Sequence, residues 1–374
     1  MGFERQDSFI RMVGERVQIA RKEAKLTQEA LSDKLGFKDR QILSNIESGK
    51  RKVSTDEMLA LMKHLGKTLE YFTDPLILVA EGAFCWRANA GPDVLDAFEE
   101  KAKGWIALYR TLGYDLNEPV NPLFPQLAIT TRNSFEDAQS AAEQLIGQWD
   151  LGEIPSGKIA ESVEDRLGVL VLFVEAPRTI SGAASHLRDL NAILINRHDH
   201  DGRRIYDFAH ELFHLLTWQT MPPERIDGET AKKPSGRRIE QLANAFAAAL
   251  LMPGKVVESG WKRDSEKVKD VHDRINRLAD RFGVTALALK LRLENMGLLS
   301  DRDKLTMVDS RLTWNGRAPT DRNLPPLFSR SFVARLQKAL KRGYLSVRRS
   351  ARILDCTVED VADLIADYGF ESPY

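Results

Sequence analysis

Phe208-Ala209-His210-Glu211-Leu212-Phe213-His214-Leu215-Leu216 is the stretch on which the fold of this chain turns. Histidines at i and i+4 lie one above the other on a helix face, so both imidazoles can reach a single Zn²⁺. Glu211, between them, is placed to serve as a general base. Ala209, Leu212, Phe213, Leu215 and Leu216 make the helix largely buried, where an unsatisfied histidine pair would be costly. The alternative is two core histidines satisfied by backbone carbonyls. A catalytic zinc also wants a third protein ligand and an open position. Downstream, the candidates are Glu224, Asp227, Glu229 and Glu240. The first three fall in an irregular Pro- and Gly-containing loop, 221–236. Glu240 sits early on a helix expected over 237–252, whose apolar face (Leu242, Phe246, Ala249, Leu250) would pack it beside the histidine helix. Asn244, one turn later, could hydrogen-bond to a ligand from behind.

Around this centre the pattern predicts a mixed domain over 136–300. Helices are expected at 136–149, 157–167, 204–218, 237–252, 267–282 and 286–296. A buried strand is expected at 169–174 (Val-Leu-Val-Leu-Phe-Val) and another at 192–196, with a turn at Ser181-Gly182. Residues 301–374 form a C-terminal helical region with three short helices over 329–369. Before the domain, 75–135 reads as a connector. Residues 76–80 and 83–86 are expected to pair as a hairpin, a helix follows at 94–112, and Pro119, Pro122 and Pro125 break the chain.

Residues 1–74 read as a bundle of short helices with tight turns. Thr27 caps a helix ended by Gly36, a second runs to Glu47 before Gly49, and Ser54 with Glu57 makes a capping box. In the second helix Arg40, Gln41, Ser44 and Asn45 are polar while Leu43 and Ile46 face inward, as a helix that reads base edges requires. Arg can pair bidentately with guanine, and Gln or Asn with adenine. Gln28 and the run Lys50-Arg51 suit phosphate contacts. One residue more than usual, within Phe37-Lys38-Asp39, is assigned to the turn.

This N-terminal pattern resembles the Xre/Cro-type helix-turn-helix family. The run from Phe208 to Leu216, followed by Glu240-Gln241-Leu242-Ala243-Asn244-Ala245-Phe246-Ala247 and closing on Leu251-Met252-Pro253, resembles the ImmA/IrrE metallopeptidase family. The resemblance implies an α+β, mainly α, protein. It has a helix-turn-helix bundle, a zincin-like domain with a small sheet, and Zn²⁺ held by His210, His214 and Glu240 with Glu211 catalytic. It further implies a cytoplasmic regulator that binds operator DNA and cuts itself or a repressor or antitoxin partner. The alternative is a regulator whose zinc domain senses a ligand or dimerises without proteolysis. A homodimer is expected, because one such module reads a half-site. His186, His198, His200 and Tyr206 are possible oxyanion donors, each more simply structural.

Composition constrains these readings. Lys and Arg number 54 and so do Asp and Glu, giving a formal charge of zero, but the sum is a cancellation. From Lys34 to Lys52 six basic residues face two acidic ones. Residues 322–352 hold nine basic residues and no acidic one, and 355–371 hold six acidic residues and no basic one. The basic stretch is either a second nucleic-acid surface or a solvated face paired with the acidic tail. The two cysteines, Cys85 and Cys356, exclude a disulfide framework and a Cys-rich zinc module, and fit a reducing cytosol. No apolar run is long enough to span a membrane.

Overall fold

The computed structural model describes residues 2–119, 126–225, 234–317 and 324–372. The chain divides into two units, one formed by Met1–Gly82 with Lys101–Thr111, the other by Ala83–Glu100 with Leu112–Tyr374.

The first unit opens with α1 (Gly2–Glu23), α2 (Gln28–Lys34), α3 (Arg40–Glu47), α4 (Thr55–Leu65) and α5 (Leu69–Thr73). Side-chain caps set these boundaries. Thr27 accepts from the Ala30 amide, Asp39 from Gln41, and Ser54 forms a reciprocal capping box with Glu57. Asp39 as cap places the extra residue in the turn and starts α3 at Arg40. Val17, Ala20, Leu31, Leu43, Ile46, Leu61 and Phe72 make the core. Gly14 lets α1 cross α3 closely: a Cβ there would stand 2.1 Å from the Ile46 carbonyl oxygen.

The second unit is built on a four-stranded sheet in the order β1 (Ala83–Ala88), β3 (Ile180–His186), β4 (Asn191–Asn196), β2 (Leu170–Val174). β2 runs parallel to β4, whereas β3 is antiparallel to both β4 and β1. Two expectations are corrected here. Residues 83–88 do not form a hairpin with 76–80 but join β3, nearly a hundred residues on, with Ala83 opposite His186 and Arg87 opposite Gly182. Ser181-Gly182 is not a turn but lies within β3, the chain reversing instead between Leu187 and Leu190.

Helices α6 (Pro92–Asp115), α7 (Phe135–Trp149) and α8 (Ile159–Leu167) precede β2. After β4 come α9 (Asp201–Leu216), α10 (Pro234–Leu251), α11 (Gly254–Lys267), α12 (Val271–Phe282) and α13 (Ala286–Asn295). The helix expected over 267–282 is α12, which starts four residues later, at Val271, and α11 over 254–267 is an additional helix that the pattern did not predict. α9 lies across β3 and β4, and α10 packs on both α9 and α7. Phe208, Leu212 and Phe213 of α9 share one core with Ile193, Ile195, Leu242 and Phe246.

Beyond α14 (Asp301–Thr306), the chain ends in α15 (Arg330–Lys341), α16 (Val347–Leu354) and α17 (Val358–Asp367). The basic α15 is partly neutralised locally. Lys341 pairs with Glu371 at 3.0 Å, Lys338 with Glu118 at 2.9 Å, and Arg330 donates to the Tyr368 carbonyl. Arg348 and Arg352 remain exposed, and Arg322 lies outside the described residues. No described helix is long and apolar enough to cross a membrane.

Candidate functional site

α9 presents His210, Glu211 and His214, all fully buried, and α10 brings Glu240 against them. The Nε2 atoms of His210 and His214 are 3.0 Å apart. Glu240 places one carboxylate oxygen 3.1 Å from His210 Nε2 and the other 3.6 Å from His214 Nε2. Ligand atoms at zinc bond lengths on a tetrahedron stand about 3.3 Å from one another. The spacing of this donor set therefore fits a single ion. Its chemistry fits as well, because facing imidazole nitrogens and a carboxylate are electron-rich and call for a cation or shared proton between them. Of the four sequence candidates for the third ligand, Glu240 is the one that groups with the histidines; Asp227 and Glu229 lie outside the described residues. Its side chain keeps 17% exposure against none for the histidines, so the cluster opens on the α10 side.

The surroundings position this set. His210 Nδ1 donates to Asn244 Oδ1 at 3.1 Å, which directs its Nε2 toward Glu240 and His214. The Asn244 backbone carbonyl in turn accepts from the Tyr206 hydroxyl at 3.0 Å. Burial pushes the Tyr206 phenol up to about 12, so it stays a donor. Burial also raises the Glu240 carboxyl, opposed by His214 and by Arg87. Gly182 of β3 faces this helix. A Cβ there would come 2.7 Å from the Leu194 carbonyl oxygen and 3.8 Å from Glu211 Cγ. The pattern pointed to neither Arg87 nor Asp207, and it placed Gly182 in a turn. Arg87 on β1 reaches Asp207, one turn before His210, at 3.2 Å, tying the added strand to the metal helix.

The remaining oxyanion candidates are engaged elsewhere. His186 Nδ1 meets Asn191 at 2.7 Å, His198 pairs with Glu175, and His200 caps α9 by accepting from the Gly202 amide.

In the first unit α3 exposes Arg40 and Gln41, while Ser44 and Asn45 are half-buried and Leu43 and Ile46 fully buried. Gln41 donates to Asn45 at 3.1 Å. Lys50 is exposed. Two residues expected at phosphate carry internal bonds. Gln28 donates to Glu47 at 2.8 Å, and Arg51 binds Glu57 through two bonds of 2.8 and 3.1 Å. Glu47 also receives Arg21 in a buried bidentate pair, with bonds of 2.6 and 3.1 Å. No periodicity reveals that pairing, because Arg21 and Glu47 are 26 residues apart.

The two units thus define a helix-turn-helix module joined to a domain whose His-Glu-x-x-His helix and Glu240 could hold a metal ion. Comparison with known families agrees with both halves. The family described as helix-turn-helix matches residues 17–72, and the IrrE N-terminal-like domain matches residues 164–294. Residues 17–72 therefore carry an Xre-type helix-turn-helix domain and residues 164–294 a domain like that of the ImmA/IrrE family. None of the curated proteins matches it.

Proposed function

We propose that the chain is a transcriptional regulator that binds operator DNA, as a dimer, through α3. Its second unit would be a zinc-dependent endopeptidase acting on the chain itself or on a repressor or antitoxin partner. The observation that carries this reading is the convergence of His210, His214 and Glu240 with Glu211 on the same buried helix turn. Those three side chains would hold the zinc. When bound, the ion supplies Lewis acidity toward a peptide carbonyl and toward water. Glu211 takes a proton from the attacking water at its carboxylate and passes it to the leaving amine. Asn244 holds the His210 tautomer in which Nε2 is the ligand atom. A purely structural or ligand-sensing zinc site would have no need of the glutamate between the histidines.

The test is Glu211→Gln in the full chain. Zinc content should stay near one per chain, while cleavage of the chain itself or of a co-expressed repressor should fall at least 100-fold, the usual scale of a lost general base. Unchanged cleavage with zinc retained would overturn the mechanism. For DNA, combined Arg40→Ala and Gln41→Ala should abolish sequence preference in a binding-site selection.

A further inference from the structure

Next to the metal cluster, and lined by none of its four residues, is a cavity of about 980 Å³. That is the upper end of the range for sites taking small organic molecules. One side is apolar: Phe135, Ala288 and Trp314 line it, with Leu287 and Leu291 at 40% and 58% exposure. Apolar side chains left this exposed around a concave wall mark a surface meant to be covered.

The charges on the wall are not balanced. Arg87 and Arg203 both reach Asp207, at 3.2 and 3.4 Å, and so share its carboxylate. Glu136, also on the wall, is exposed and screened by solvent. Arg292 is different. It is 4% exposed, lines the cavity, and its Nε has no hydrogen-bond partner among the described residues. Glu143, the carboxylate that acts on it, accepts from the Gly254 amide at 3.3 Å. Burial lowers the Arg292 guanidinium from its ordinary value. A buried guanidinium whose Nε lacks an acceptor, and whose nearby carboxylate makes no hydrogen bond to it, is expensive unless something else satisfies it.

We infer that this cavity is an effector site for an organic carboxylate with an extended apolar body. The carboxylate sits on Arg292 and the body lies along Leu287, Leu291, Phe135 and Trp314. A guanidinium is suited to a planar carboxylate, which it can bind through two parallel bonds. Asn244 forms part of the same wall, so an occupant touches the residue that orients His210. The site does not depend on the peptidase reading and would exist in a regulator that cuts nothing.

The experiment is calorimetry on the full chain with sodium decanoate and its neutral counterpart 1-decanol. Decanoate should bind saturably, one per chain, about tenfold or more tighter than decanol, the scale of a hydrogen bond to a charged group. Arg292→Gln should erase that preference. Leu291→Glu, at a position 58% exposed, should weaken decanoate independently without lowering the melting temperature. Chelator-stripped protein and His210→Ala should bind decanoate as before. Equal affinity for decanol, or unaltered binding in Arg292→Gln and Leu291→Glu, overturns the proposal. So does loss of binding on zinc removal, which would place the carboxylate on the metal. Loss of cleavage in Glu211→Gln with decanoate binding intact would separate this site from the peptidase chemistry.

Discussion

Asn244 stands one helical turn beyond Glu240 on α10, and its side-chain oxygen holds the Nδ1 of His210 at 3.1 Å. One helix therefore supplies a donor to the metal cluster and fixes the tautomer of a second donor on another helix. Asn244→Ala should lower zinc affinity about 10–100-fold, the usual effect of losing such a partner, while leaving the fold in place. Competition against a chromogenic chelator reads this directly. Affinity equal to the parent would mean that packing alone orients His210.

Metal removal should also act on stability. The cluster gathers electron-rich groups in a buried place, and an ion bound only by the folded chain stabilises it by about 2.7 kcal/mol at a hundredfold excess over Kd. Treatment with a chelator should therefore lower the melting temperature, with recovery on adding zinc. His210→Ala should show no response to either.

The Arg21–Glu47 pair is buried, with side chains 10% and 2% exposed. Glu47→Ala leaves the guanidinium without its carboxylate and takes the acceptor from Gln28, so it should destabilise the first unit by about 3–5 kcal/mol. Urea unfolding measures the loss. Replacing Arg21 and Glu47 together with apolar residues should cost much less than Glu47→Ala alone.

Lys50 and Arg51 are neighbours that should behave differently on DNA. Lys50 is exposed, whereas Arg51 is held by Glu57 in a bidentate pair. Lys50→Ala should weaken binding across all sequences and reduce the salt slope by about one. Arg51→Ala should reduce it less, because that guanidinium must first leave Glu57. Titrations at several salt concentrations distinguish the two.

Glu164 on α8 accepts from the Val171 amide at 3.2 Å and from Ser331 at 3.0 Å, and its burial pushes its carboxyl above the ordinary glutamate range. With the folded value above the unfolded one, the folded state binds the proton more tightly. Its contribution is fully present below the ordinary glutamate range and is lost as pH rises through the folded value. Glu164→Gln keeps an acceptor and removes that loss. The variant should gain on the parent as pH climbs from 4 toward neutrality, seen as a widening gap in melting temperature.

The sequence was most legible where chemistry and periodicity coincide. His210, Glu211 and His214 share one helix face, and Glu240 stands at the right place on a helix whose apolar stripe demands a partner. The start of α3 was not legible, because Asp39 reads equally as turn or helix until its side chain is seen accepting from the Gln41 amide. β3 was not, because Ser181-Gly182-Ala183-Ala184-Ser185 lacks the large β-branched residues of a strand. At Gly182 the absence of a side chain is needed, because a Cβ would stand 2.7 Å from the Leu194 carbonyl oxygen. α11 was hidden by its charge, with apolar contacts concentrated at Val257 and Trp261. β1 was legible as a strand but not its partner, since nothing local says that 83–88 pairs with 180–186.

That pairing bears on the self-cleavage included in the proposed function. β1 carries Trp86, fully buried, and sends Arg87 to Asp207 on the metal helix, although in sequence it precedes the whole family-matched domain. A scission within 83–88 would strip a strand from the very domain that made it and lay bare the β3 edge. A cut there would be a fuse, usable once, whereas a cut upstream of Ala83 would leave the four-stranded sheet whole.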